Sequence, residues 1–413
     1  MSYRHNFQYN PSLISDFFST DRYRNLLRSR VKIEDENGEV HTLDHHHFSD
    51  RRDIALGFYS DGVQLFKRLK VQKTCTPLLL TNMNLDPEIR TLLDNLICLG
   101  VIPGPHSPKD VNSFFYPAYV ELLKLARGYS TVDVLAGERF ILHTYIVSRS
   151  GDLPDVSKWL GYKGAGAKSP CMECEITGVR ILALDDGQRA STNYYVPLKP
   201  PSTHPQPHIV WDPHDLPLRS DFSTSKQLDE IRCAPTKAQR EELAKKYGLN
   251  GTSLLERFSS FSRSVSAPHD YMHLIFAHMI PMLLQLWRGS YYPWKARNLD
   301  NGQPYVISDA KWMTIGKLTA EATHLIPAGF CRAFPNIFTE HHLYISESHA
   351  AWFSYLARPL LLNAWADSRY YDHTMLLVDI MRETMDYEIK TANLKPGGTL
   401  REKIVRFVEQ YYE

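Results

Sequence analysis

The sequence has no surplus of charge of either sign: 47 Lys and Arg stand against 46 Asp and Glu, a formal net charge of +1. A dedicated electrostatic nucleic-acid binder carries a basic excess, so the whole chain does not read as one; a local basic groove stays open. No apolar run reaches the roughly 18 residues of a membrane span, and the opening MSYRHNFQYN holds no signal-peptide apolar segment. No membrane partner and an intracellular address are therefore expected. Cysteine is scarce as well. Six cysteines (Cys75, Cys98, Cys171, Cys174, Cys233 and Cys331) in 413 residues argue against a disulfide framework and read as reduced thiols or metal ligands. Repeats and low-complexity tracts are absent.

A hydrophobic share of 43% with 23% charged residues is globular, and the length suggests two or three domains. The run DIALGFYSDG alternates, with Ile54, Leu56 and Phe58 on one face, and stops at an Asp-Gly turn, so it reads as a strand with Asp61 at its C-terminal end. TPLLLTNMNL and LICLGVIPG read as two further short strands. VNSFFYPAYVELLKLARG reads as a helix stopped by Gly128, with Pro117 implying a kink or a later start. RFILHTYIVSRSGD is a fourth strand followed by Asp152, and LPDVSKWLGY a short helix with Pro154 in its first turn. Ligands of α/β sheets gather beyond the C-terminal ends of strands, so Asp61 and Asp152 are expected to face one crevice.

From about residue 181 the character changes to a Pro- and His-rich irregular loop, then to helices. These cover TKAQREELAKKYGLN, the apolar HDYMHLIFAHMIPMLLQLWRG with a core stripe of Met272, Ile275, Met279 and Leu283, and SDAKWMTIGKLTAEATHL. SESHAAWFSYLARPLLLNAWA and RYYDHTMLLVDIMRETMDYEI add two more. The expectation is an α/β fold interrupted by a mainly helical insertion. Its divisions are a flanking segment over 1–50, a first core part over 51–180, the insertion over 181–334, and core completion with C-terminal helices over 335–413.

Five segments, in order, resemble the catalytic region of the CACTA-type (En/Spm-like) DNA transposases in their fungal form. They are FSDRRDIALGFYSDGVQLFKR, LGVIPGPHSPKDVNSF, GDLPDVSKWLGYKG with SPCMECEITGVR, HDYMHLI, and FPNIFTEHHLYISESHAAW. The resemblance spans roughly residues 45 to 390 and implies an RNase H-like core of mixed sheet and flanking helices, with three catalytic acids. On this sequence they are Asp61 in SDG, Asp152 in GDLP and Glu347 in ISESHAAW. Glu340 in FTEHH is the rival for the third, because His349 stands where the family commonly has an aromatic residue. The implied activity is metal-dependent cleavage and strand transfer at DNA phosphodiesters, with transposon ends as partner, a nuclear address, and a truncated or remnant transposase as the biological setting. The run of 60 residues before Asp61 shows no recognisable DNA-binding module. Homo-oligomerisation is open.

The chemistry needs such acids. In-line displacement at phosphorus uses two Mg²⁺ or Mn²⁺ ions that clamp the attacking and leaving oxygens. Hard cations want carboxylate oxygens and open positions for phosphate and water. Each acid also has an ordinary reading: Asp61 as a turn residue, Asp152 as a helix N-cap, Glu347 as a favourable charge in a first helical turn.

Cys171 and Cys174 form half of a zinc knuckle. The family pattern adds a distant histidine, His273 in DYMH, with His269 and His278 nearby in sequence. A buried, reduced pair is the alternative, and the loop position argues against thioredoxin-like redox chemistry. Lys67, Arg68, Lys70 and Lys73 follow Asp61 and could hold a phosphate backbone or form a solvated hairpin. His45–His47 reads as exposed polar surface. Two readings of another class remain beside the enzyme: a catalytically silent binding or scaffold relative, and a zinc-organised interaction domain.

Overall fold

The computed structural model describes residues 2–34, 38–64, 74–180, 193–198, 209–291 and 302–412. It divides into two compact units, Met1–Asn10 with Asp16–His269, and Pro11–Ser15 with Asp270–Glu413.

The first unit is built on a mixed five-stranded sheet. The first core strand, Ile54–Ser60, lies at its centre. The second, Thr74–Asn82, runs antiparallel beside it, and the third, Leu96–Pro103, antiparallel beside the second. The fourth, Thr144–Ser150, lies on the other side of the first and parallel to it. A two-residue strand, Val63–Gln64, continues the line of the first and pairs with Thr74 and Cys75.

Alternation along the strands feeds two cores. Leu56, Phe58 and Ile146 point to the face covered by the helix Asn112–Arg127, through Phe115, Tyr119 and Leu122, and by Trp159. Ala55, Tyr145 and Val147 point to the opposite face, against Phe18, Leu26, Val31 and Ile33 of the N-terminal region. Phe58, Phe115 and Trp159 meet edge-on or tilted at 5.0–5.9 Å. Burying each such ring contributes about 2–3 kcal/mol.

The two parallel strands are fastened at both ends. Where they begin, fully buried Asp53 accepts from the backbone N–H of His143 at 3.1 Å, and its carboxylate meets His143 Nδ1 at 3.0 Å. Where they end, Arg149 of the fourth strand donates to Ser60 of the first at 2.7 Å.

Several expectations need correction. The run over 139–150 is two strands rather than one. Glu138–Leu142 pairs antiparallel with Tyr129–Asp133 as a hairpin, and the core strand starts after His143, whose N–H goes to Asp53. Pro117 neither delays nor ends its helix, which runs from Asn112 to Arg127. His47 is buried, not surface, and bonds Ser29 and Ser259.

Later in this unit, Lys237–Tyr247 is a helix with a Thr236/Gln239 capping box, ended by Gly248 in the left-handed conformation at φ 71°. A Cβ at Gly248 would also lie 2.0 Å from the Ser169 carbonyl oxygen, so only glycine fits.

The second unit is helical. It contains Ile280–Trp287, Asp309–Ala322, Ser368–Thr384 and Thr399–Gln410 around a core that includes Trp312, Trp352 and Phe353. The expected stripe is broken at its start. Met272–Met279 is π-helical, and its i→i+5 winding turns Met272 outward while Phe276 and Ile280 are buried. Trp352–Leu356 is a second π-helical segment. No helix among the described residues is long and apolar enough to cross a membrane.

Candidate functional site

Asp61 follows the last residue of the first core strand, and Asp152 stands two residues beyond the last residue of the fourth. The strands are parallel neighbours, so both acids emerge at the same edge of the sheet. Together they line a cleft of about 300 Å³, with Thr74, His106, Lys158 and a third carboxylate, Asp155. Both acids are half-buried.

Local chemistry fixes each. Asp152 is the N-cap of the helix Leu153–Trp159, and its Oδ1 accepts from the backbone N–H of Asp155 at 2.7 Å. The capping role and the cleft position are therefore compatible: one carboxylate oxygen holds the helix while the residue lines the cleft. The Tyr59 hydroxyl donates to Asp61 Oδ2 at 3.3 Å.

Under the cleft lies Arg149, fully buried and ion-paired with Asp155. Its guanidinium also sits over the rings of Phe58 and Trp159, 4.9 and 5.7 Å from their centroids. Burial lowers the Arg149 pKa from the usual arginine value, and the neighbouring Asp155 carboxylate opposes that shift. Ser60 donates to Asp155 Oδ2 at 2.6 Å. A Cβ on Gly151 would lie 2.9 Å from both Arg149 Nη1 and the Ser60 carbonyl oxygen, so the Ser-Gly-Asp step needs glycine. On the rim, Lys158 donates to Ser107 at 2.9 Å.

Glu347 is in the second unit, in the first turn of the helix Ser346–Ala351, exposed and 3.2 Å from Arg332 Nε. Glu340, its rival, accepts from the backbone N–H of Asn336 at 3.0 Å and so closes a local turn. Lys67, Arg68, Lys70 and Lys73 lie outside the described residues.

Cys171 accepts backbone N–H bonds from Glu173 and Cys174, both at 3.4 Å. The neighbouring Cys174 thiol and His269 also favour its thiolate and bring the Cys171 pKa down to about 4, while Cys174 is pushed up. His269 is 3.9 Å from Glu173 and, lying beside Cys171, more basic than usual. His273 belongs to the second unit, where its Nδ1 lies 3.1 Å from Asp270. Within this unit the imidazole beside the cysteine pair is His269. Among the described residues, no group of three or more His, Cys, Asp or Glu side chains is gathered to hold a metal ion.

Comparison with known families fits this geometry. Residues 34–194 match the model of the transposase family tnp2. That stretch is similar to transposases, and it carries Asp61, Asp152, Cys171 and Cys174. No curated protein matches the chain.

Proposed function

We propose that the first unit is an RNase H-like core of a DNA transposase, a metal-dependent polynucleotidyl transferase acting on phosphodiesters. The observation that carries this reading is the pair Asp61 and Asp152, set beyond the ends of neighbouring parallel strands and lining one cleft. The strand order, with an antiparallel neighbour on one side of the first strand and a parallel one on the other, supports the reading. The tnp2 match over both acids supports it.

The donor set suits a hard divalent cation. Mg²⁺ is bound through one or two carboxylates and completes its shell with water and substrate phosphate. Asp61 and Asp152 would hold it, with Glu347 the proposed third acid. Bound there, the metal would activate the attacking water and stabilise the leaving oxygen. Asp152 is oriented by its own helix cap. Asp155 is neutralised by Arg149, so the cleft gains no further free negative charge to repel a phosphate. Lys158 on the rim would attract the DNA backbone. DNA ends as substrate and a nuclear site of action follow from this reading.

Mn²⁺ titration followed by electron paramagnetic resonance tests it. Wild type should bind Mn²⁺, and Asp61→Asn should weaken binding at least about tenfold. Equal binding by both would remove Asp61 from the site.

The Cys171 turn favours a supporting zinc role within the same protein. The N–H bonds to Cys171 stabilise a thiolate, the form that binds zinc, and His269 supplies an imidazole nitrogen. Two sulfurs and one nitrogen leave the set short of four ligands, and His273, implied by the family pattern, is the candidate to complete it.

A further inference from the structure

The second unit contains a cavity of about 450 Å³ that none of this chemistry uses. Five aromatic side chains line it: Trp287, Tyr305, Tyr370, Tyr411 and Tyr412. Trp287 is buried at its base, while Tyr411 and Tyr412 are 44% and 47% exposed, with their rings nearly perpendicular at 79° and 5.8 Å apart.

The charges on the wall do not cancel. Arg369 donates through Nε and Nη2 to Asp367, at 2.9 and 2.8 Å, so its guanidinium is already paired. His373 has its Nε2 against the Phe407 carbonyl at 2.8 Å and its ring stacked on Phe407 at 4.3 Å. Asp372, exposed on the same wall, makes no ion pair among the described residues. The cavity therefore combines several π surfaces with one uncompensated carboxylate.

That combination selects one ligand chemistry. A compact alkylated cation is attracted by the negative faces of aromatic rings and by a carboxylate, and its methyl groups bury apolar surface. A strongly hydrated ammonium would lose more water than the rings return, and an anion would be repelled by Asp372. We infer that this cavity binds a quaternary or highly methylated ammonium group, carried by a small molecule or by a methylated lysine side chain. The inference does not depend on the transposase reading, because it concerns the second unit alone.

Choline and its neutral carbon isostere 3,3-dimethylbutan-1-ol separate charge recognition from apolar filling, with binding to the full chain followed by ligand-observed NMR and calorimetry. Choline should bind at least about tenfold more tightly than the isostere. Asp372→Asn and Tyr411→Ala, both at exposed positions, should each weaken choline about three- to tenfold while the circular dichroism spectrum stays unchanged. Trimethyl-lysine amide should compete with choline, and unmodified lysine amide should not. Equal binding of choline and the isostere, no binding of choline, or no effect of either substitution would overturn the inference. So would adenosine displacing choline with higher affinity, which would make the cavity a nucleobase-stacking site.

Discussion

Ser60, the residue before Asp61, donates a 2.6 Å hydrogen bond to Asp155, three residues after Asp152. This bond joins the end of one parallel strand to the helix that follows the other. Arg149 closes the triangle by donating to Ser60 at 2.7 Å and pairing with Asp155. The two elements that carry the candidate metal ligands are thus tied together by a polar network next to them.

Asp155→Asn should be costly, because it leaves the buried guanidinium of Arg149 without its counter-charge. Breaking one side of such a pair costs about 3 kcal/mol. Urea unfolding should register this as a lower midpoint with an unchanged slope. Arg149→Met combined with Asp155→Asn should recover part of the loss, since it removes the stranded charge. If the double variant is as unstable as the sum of the two single ones, the pair is not coupled.

Acid should loosen the first unit through His47. Burial, opposed by its bond to the Ser29 carbonyl and aided by the nearby positive Arg22 and His45, pushes His47 down to about 4. The unfolded chain takes up this proton near pH 6.5, the folded one only near 4, so between them the unfolded state binds more protons. Stability is therefore whole above about pH 6.5 and falls as pH drops toward 4, by up to about 3 kcal/mol. His47→Gln should flatten this part of the pH–stability curve measured by urea unfolding. An unchanged slope would mean that the imidazole charges freely in the folded protein.

Zinc content separates the two histidines. Purified wild type should carry about one zinc per chain by atomic absorption, and Cys171→Ser should lower it most. His269→Ala should reduce retention under a competing chelator, because His269 lies beside Cys171. Retention unaffected by His269→Ala but lost in His273→Ala would assign the nitrogen ligand to His273 alone.

The central strands were legible because alternation and turn residues coincide: Ile54–Ser60 ends at the Asp-Gly step, and Leu96–Pro103 ends at Gly104. The helix caps were legible for the same local reason, as at Asp152 and Gly128. The hairpin before Thr144 was not, since the apolar pattern runs through His143 and only the distant partner Asp53 interrupts the ladder there. Arg149 looked like an ordinary polar residue at a strand end. Its importance lies in contacts to Ser60 and Asp155, which no periodicity encodes. His269 was named only as a histidine near His273, and its place beside Cys171 was not readable because almost a hundred residues separate the two in sequence.

The third acid calls for paired substitutions. Glu347→Gln should lower metal-dependent nicking by at least about a hundredfold, the scale of losing a metal ligand. Glu340→Gln should leave nicking within about threefold and cost at most about 1 kcal/mol of stability, because that side chain closes a turn at Asn336. The reverse order of effects would transfer the role to Glu340.

The measurement that tests the central claim most directly is nicking of a supercoiled plasmid with Mn²⁺, wild type beside Asp61→Asn and Asp152→Asn. Both substitutions keep side-chain volume, and asparagine caps a helix about as well as aspartate, so the fold should persist. The account predicts nicking by wild type that needs the metal and is lost in each variant. Nicking that survives in both variants, or a folded wild type that binds Mn²⁺ and never nicks, would contradict it.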